Sequence, residues 1–232
     1  MARSPAHYAS SILEPAKPSY AMSFGVVAHA ILFGQPFVQW PKRRAGKEWE
    51  AFEEAHKDDL IVTVDEHDRA MRMVDAVTAH RDSAMVLRGK YEVDREWSVL
   101  GRKCAGRMDV LGADFVTEFK TCSNAHPQRF VYGAMRLSYH AQLAWYLDGV
   151  FLEGGKAYMV AAESAPPYAV TIFEVTPRTL EEGRKQCRLW METLLTCEAS
   201  DSWPAYCQSM VPFDIPDHGE PLIIDGEDVE AA

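Results

Sequence analysis

The chain has 232 residues, with 24 Lys and Arg against 34 Asp and Glu, for a net charge of −10. With 47% apolar and 25% charged residues it falls in the range of folded globular proteins, which excludes wholesale disorder. No run approaches the ~20 apolar residues that span a bilayer. The first twenty residues contain three prolines and no apolar signal core, which argues against secretion and for the cytoplasm.

The charge is unevenly distributed. Residues 214–232 hold seven acids and no Lys or Arg; without those seven charges the remaining net charge falls from −10 to −3. We read 1–213 as a single domain and 214–232 as an acidic C-terminal tail, exposed or partly disordered. A nucleic-acid partner would have to be held by local clusters such as Lys42, Arg43, Arg44 and Lys47. Composition alone argues mildly against DNA.

In chain order, Ser23 to Phe33 is a short apolar helix with one polar intrusion, His29. Lys42 to His56 reads as a polar helix with Trp49 and Phe52 on one face. Thr63 and Glu66 have capping-box spacing and open a helix on which Met71, Val74 and Val77 recur at helical intervals. From Tyr91 the period changes. Tyr91 to Leu100, Lys103 to Leu111 and Phe115 to Phe119 read as an antiparallel meander, with turns at Gly101 and at Gly112 to Asp114. Pro127 to Val150 is helical with a break near Leu137 and Ser138. Lys156 to Ala162 and Tyr168 to Val175 are strands around a Pro166-Pro167 turn. Arg178 to Cys197 is an amphipathic helix burying Leu180, Cys187, Trp190, Met191, Leu194 and Leu195. The order predicts an α/β (α+β) fold with a small mixed central sheet flanked by helices.

The sharpest chemical feature is Gly106-Arg107-Met108-Asp109, followed nine residues after the Asp by Glu118-Phe119-Lys120. Across a hairpin, Asp109 and Glu118 can face each other, and strand alternation puts Glu118 and Lys120 on one side. Two carboxylates plus the carbonyl of Phe119 make an oxygen cage suited to Mg²⁺ or Mn²⁺. The Lys120 ammonium can hold an attacking water, the combination that phosphodiester hydrolysis needs. Such spacing also occurs in solvated surface hairpins. The apolar neighbours Val110, Leu111, Phe115, Val116 and Phe119 favour a functional reason, because burying unpaired charge is costly.

Tyr139, Gln142 and Tyr146 fall on one helical face and could line a groove, although spacing alone fits an ordinary polar edge better. A lone histidine in an apolar helix, as His29 is, is more often a core residue than a ligand; neutral imidazole can still join a metal site. Phosphate-cradling glycine loops, a Gly-x-Ser-x-Gly elbow and Cys-x-x-Cys pairs are all missing from the sequence. The five cysteines do not form a disulfide framework, and Cys187, Cys197 and Cys207 read as buried small apolar groups rather than zinc ligands.

Together these pieces resemble the PD-(D/E)xK nucleases, with a restriction-endonuclease-like core. The resemblance is nearest to the exodeoxyribonuclease VIII (RecE-type) branch of prophage recombination systems, related to RecB-type nuclease domains and lambda exonuclease. Ser4-Pro5-Ala6-His7-Tyr8, Gly25-x-x-x-His29, Gly106-Arg107-Met108-Asp109 with Glu118-Phe119-Lys120-Thr121, and Tyr139-His140-x-Gln142 arrive in the family order over roughly residues 3–150. Met108 stands where the superfamily pattern has Pro, and Glu118 where many relatives have Asp; neither change removes a ligand.

The resemblance implies that Asp109, Glu118 and Lys120 are catalytic. It implies that Asp109, Glu118, the Phe119 carbonyl and His29 hold Mg²⁺, with Mn²⁺ able to substitute, and that Gln142 and Tyr139 position DNA. Glu92, on the preceding strand, is an extra candidate. It further implies 5′ to 3′ digestion of linear double-stranded DNA from its ends, a ring-shaped homo-oligomer (trimer or tetramer), a single-strand annealing protein as partner, and no membrane. The alternatives are an endonuclease of the same fold and a catalytically inert DNA-end-binding protein.

Overall fold

The computed structural model describes residues 3–14, 19–151, 154–207, 209–212, 222–224 and 227–229. Helices α1 (Pro5–Leu13) and α2 (Tyr20–Leu32) come first, then strand β1 (Val38–Trp40), helix α3 (Lys47–Ala55), strand β2 (Ile61–Thr63), helix α4 (Val64–Ala79) and the single turn α5 (Ser83–Val86). The meander is β3 (Lys90–Val99), β4 (Arg102–Leu111) and β5 (Phe115–Cys122). It is followed by helices α6 (Pro127–Arg136) and α7 (Tyr139–Val150), strands β6 (Lys156–Glu163) and β7 (Val170–Glu174), and the long helix α8 (Pro177–Ser200). Within the acidic tail, β8 (Leu222–Ile224) and β9 (Glu227–Val229) pair antiparallel, and the rest of that expected arm lies outside the described residues.

The main sheet has the order β3-β4-β5-β6-β7. Its meander half is antiparallel because two short glycine turns join the strands. The α6–α7 crossover returns the chain in the same direction, so β5 and β6 are parallel, and β7 closes antiparallel. The result is the mixed sheet the sequence predicts. Alternation along β6 sends Tyr158, Val160 and Ala162 to one face, against α2 and α4 residues such as Phe24, Val27, Met73 and Val77. Ala157, Met159 and Ala161 face the other way, against Leu143, Ala144 and Leu147 of α7 and Leu180 of α8.

Several expected elements differ in detail. The helix expected from Lys42 begins only at Lys47, after Gly46 adopts a left-handed backbone (φ 82°). The residues before it are held irregular by Arg44, which donates to the Ile61 carbonyl and to both oxygens of Glu66. The capping box of Thr63 and Glu66 forms in full. The buried stripe of α4 is Ala70, Met73, Val74 and Val77, whereas Met71 lies one step off it and is exposed. The parallel β1–β2 pair is absent from the sequence reading. On α8, Cys187, Trp190 and Leu195 are half-buried, at the margin of a stripe of Leu180, Gly183, Met191, Leu194 and Cys197. Cys207 is exposed on an irregular segment after α8, which corrects its reading as a core group; Cys197 is buried.

Candidate active site

The β-ladder between β4 and β5 is regular only at Val110–Thr117 and Leu111–Val116. One step further, where Asp109 and Glu118 would pair, side chains replace the ladder. The N–H of Phe119 donates to Asp109 Oδ2 at 2.7 Å, and the N–H of Asp109 points to Glu118 Oε1 at 3.4 Å. Sidedness breaks at the same place: Val110 packs in the α2/α4 core, while Met108, two residues away, packs in the α7/α8 core. Across the β3–β4 register, between the Tyr91–Val110 and Val93–Met108 pairs, Glu92 takes a left-handed backbone (φ 51°). A non-glycine residue there is strained by about 1–3 kcal/mol, which a sheet tolerates where a side chain must be re-aimed. The opened strands admit groups from both helical layers.

From one layer α2 supplies His29. Gly25, one turn earlier, also faces β5, where a Cβ would make ordinary contact with Thr121 Oγ1 at 3.4 Å. His29 Nε2 lies 3.0 Å from the Phe119 carbonyl. A carbonyl only accepts, so Nε2 carries the proton and Nδ1 presents its lone pair. Nδ1 is 3.7 Å from Glu92 Oε1 and 3.6 Å from Asp109 Oδ1. Burial, and then the positive charge of Lys120, hold the His29 pKa below its ordinary value, so the ring is neutral. One ligand atom from each of His29, Glu92 and Asp109 thus lies within 4.8 Å of the others. One imidazole and two carboxylates of this kind fit a divalent cation, which removes the mutual repulsion of the set.

From the other layer α7 supplies Gln142 and Tyr139. Glu118 is 1% exposed, and its Oε2 accepts from Lys120 Nζ at 2.8 Å and from Gln142 Nε2 at 3.1 Å. The same Gln142 nitrogen donates to the Tyr146 hydroxyl at 3.0 Å, and Lys120 Nζ lies 5.2 Å from the centre of the Tyr139 ring. Burial pushes the Asp109 carboxyl up to about 6, against the pull of Lys120 and the Phe119 N–H, with Glu92 adding to the rise. Burial also raises Glu118, and the neighbouring Asp109 charge adds to it. Burial disfavours the charged Lys120, but Glu118 and Asp109 outweigh it and keep the ammonium above its ordinary value.

His29, Asp109, Glu118, Phe119, Lys120, Gln142 and Tyr139, the site residues expected from the sequence, therefore meet here, in a different grouping. His29 and Asp109 share their cluster with Glu92 rather than with Glu118 and the Phe119 carbonyl. That carbonyl is engaged by His29, and Glu118 is turned to Lys120 and Gln142. Gln142 and Tyr139 touch the buried charges directly. An open pocket of about 600 Å³ exposes the site through His29, Glu92, Arg107, Lys120 and Tyr139. The basic cluster at 42–47 is partly neutralised, with Lys42 on Glu48 at 2.5 Å and Arg44 on Glu66 at 2.8 Å. His140, next to Tyr139, is a buried packing residue: Gly183 of α8 sits so close that a Cβ would lie 2.5 Å from the His140 carbonyl.

Comparison with known proteins identifies the family of the chain. Residues 1–211 match the family described as PDDEXK-like domain of unknown function (DUF3799), and the chain belongs to it. It is thereby a member of the PD-(D/E)xK nuclease superfamily, and the five-stranded mixed sheet flanked by helices is that core. A crystal structure of a protein from Eubacterium rectale, described as "Putative exonuclease", superposes with a TM-score of 0.65 over 90% of this chain and 83% of its own, at 15% identity. At that identity the likeness speaks for the fold alone. A second solved structure, SSO0001, covers 80% of this chain and 84% of its own at 16% identity, with a TM-score of 0.29 that carries no argument. No curated protein matches the sequence.

Proposed function

We propose that this protein is a metal-dependent exodeoxyribonuclease that digests linear double-stranded DNA from its ends, 5′ to 3′, leaving 3′ single-stranded tails for recombination by strand annealing. The observation that carries the reading is the joining of a His29–Glu92–Asp109 cluster to a buried Glu118–Lys120–Gln142 network at one split between strands. The superfamily and the name of the Eubacterium rectale neighbour support the nuclease part. Polarity, the ring-shaped homo-oligomer, the annealing partner, the RecE-type branch and a cytoplasmic site of action follow from the motif resemblance.

His29, Glu92 and Asp109 would hold the cation, Mg²⁺ in the cell, with Mn²⁺ substituting. When bound, it supplies charge stabilisation to the phosphoryl oxygens and acidifies a water. Lys120 orients and polarises the attacking water, since its ammonium opens onto the pocket while Glu118 fixes its position. Gln142, itself held by Tyr146, keeps the Glu118 carboxylate aimed at Lys120. The Tyr139 ring covers Lys120 and limits water around it.

The test is nucleotide release from linear duplex DNA beside a covalently closed circle, with wild type and Asp109→Ala, in Mg²⁺ and in EDTA. Digestion of the linear DNA only, lost in EDTA and in the variant, is the expected result. Five-prime and three-prime end labels then read polarity. Cutting of the circle makes the protein an endonuclease, and binding of ends without turnover makes it an inert end-binding protein.

A further inference from the structure

Beside the reaction pocket a larger cavity of about 760 Å³ runs along α6; the two share Thr121 and Tyr139 as lining residues. Within a chain of net charge −10, this cavity has no Asp or Glu in its lining. It carries Arg129 and Arg136, both exposed, and neither has a hydrogen bond or ion pair among the described residues. They stand two turns apart on one side of α6, about 10 Å along its axis. Gly133 lies between them, and a Cβ there would meet nothing within 4 Å, so the floor between the two cations is open.

The opposite wall is built firmly. Glu163 Oε1 accepts from the Ala125 N–H at 3.0 Å, the Ser164 N–H donates to the Cys122 carbonyl at 2.9 Å, and Thr171 donates to the Ala125 carbonyl at 2.7 Å. The turn so held presents the Ser123 hydroxyl, which has no hydrogen-bond partner among the described residues. Tyr132, half exposed, adds an aromatic surface on the α6 side. Unpaired guanidinium groups, a free hydroxyl and an aromatic ring along a trough are what a nucleic-acid strand needs, with phosphates on the cations and bases on the ring.

We propose that the α6 cavity is a subsite for the backbone phosphates of the DNA strand that passes through the reaction pocket, held by Arg129 and Arg136. The proposal rests on the nuclease reading and adds to it the path of the strand on one side of the reacting phosphate.

The test measures binding of fluorescent single-stranded oligonucleotides by anisotropy in EDTA, so that no strand is cut, across a series of salt concentrations. Wild type is compared with Arg129→Gln/Arg136→Gln, with Arg129→Lys/Arg136→Lys, and with Arg81→Gln, an arginine on the α4–α5 turn, as the control for general charge loss. The slope of log affinity against log salt should fall by about 0.7 for each arginine changed to Gln, the value for a single strand. It should stay near wild type in the Lys pair and in the control. A wild-type slope and affinity in the folded Gln pair overturns the proposal. Each oligonucleotide is used with a 5′-phosphate and with a 5′-hydroxyl; a loss confined to the phosphorylated strands makes the cavity a terminal-phosphate site and overturns the assignment to internal phosphates. Nucleotide release by wild type in Mg²⁺ is scored separately. The slope change without release keeps the subsite and sinks the nuclease reading, whereas release with an unchanged slope does the reverse.

Discussion

The N–H of Phe119 donates to the carboxylate of Asp109 at 2.7 Å, in the place where the neighbouring strand would have offered a carbonyl. Asp109 therefore has two duties, because Oδ2 completes the sheet while Oδ1 faces His29. The two can be separated by substitution. Asp109→Asn keeps an acceptor for the Phe119 N–H, and turnover should fall at least about 10²-fold while the fold is retained. Asp109→Ala should lose activity equally but also melt lower, because it orphans a buried N–H at a cost of about 1–3 kcal/mol. Thermal melts beside a nuclease assay check this, and equal melting of the two variants would refute the structural duty.

Which carboxylates hold the cation is open to direct measurement. The sequence motif puts Glu118 in the set, whereas the lone pairs that converge belong to His29, Glu92 and Asp109. Calorimetric titration with Mn²⁺ should show Glu92→Gln binding about 10–100-fold more weakly, with a smaller change in Glu118→Gln. The reverse order of the two variants would place the cation between Asp109 and Glu118.

Lys120 offers a sharper separation of binding from rate. Its ammonium pairs with Glu118 and lies beside Asp109, so under the proposed mechanism it would serve the reacting centre more than the bulk of the DNA. Lys120→Ala should lower the single-turnover rate by about 10²–10⁴-fold and leave the DNA dissociation constant nearly unchanged. Equal losses in rate and binding would argue against a role at the reacting water. Removing the lysine also takes away the main charge opposing the raised pKa of Glu118, so this carboxyl should then stay protonated to higher pH.

The sequence carried much of this site and less of its wiring. The meander was legible because glycine turns separate short apolar strands, and the α6–α7 break was legible at Leu137–Ser138, where Ser138 takes a left-handed backbone (φ 59°). The Gly-x-x-x-His spacing puts Gly25 and His29 one turn apart on the side of α2 that meets β5, although a Cβ at 25 would meet Thr121 Oγ1 only at ordinary contact distance. The reversal of sidedness at Asp109 could not be read, because strand alternation is assumed in any pattern-based reading and here it fails. Glu92 stayed a minor candidate for the same reason: its place in the cluster depends on a strained backbone angle that no residue type announces. The three-residue strands β1 and β2 are too short to show a period.

The raised carboxyls give stability a definite pH dependence. Asp109 rises from an ordinary 3.8 to about 6 in the folded protein, and Glu118 is raised as well. A carboxyl with a raised folded pKa contributes stability that is fully present below its unfolded pKa and is lost as pH climbs through the folded value. For Asp109 alone the shift corresponds to roughly 2–3 kcal/mol. Without metal, wild type should therefore lose several degrees relative to Asp109→Asn between about pH 4 and about pH 7, the span from the unfolded to just past the folded pKa. Saturating Mn²⁺ should cancel that loss, since the cation takes the place of the protons. Parallel pH profiles for the two proteins would show that Asp109 is not strained by its burial.

The last prediction concerns a residue that carries no chemistry. Gly106 opens the Gly-Arg-Met-Asp motif, and a Cβ on it would sit 2.6 Å from a carbon of the Tyr146 ring and 3.0 Å from Trp97. Tyr146 is the residue whose hydroxyl accepts from Gln142, and Gln142 in turn donates to Glu118. On the far side Trp97 cannot yield easily, because a Cβ on Gly149 would already lie 2.6 Å from its ring, so that side is filled to contact. A methyl at 106 must then displace Tyr146. Gly106→Ala should cost about 1–3 kcal/mol by overpacking. It should also lower kcat without weakening Mn²⁺ binding, since His29, Glu92 and Asp109 are untouched. Tyr146→Phe separates the two effects. It keeps the ring but removes the acceptor for Gln142, so it should lower kcat with little change in melting temperature. If Gly106→Ala melts early while Tyr146→Phe turns over like wild type, the glycine serves packing alone and the link from β4 through Tyr146 to the reacting centre fails.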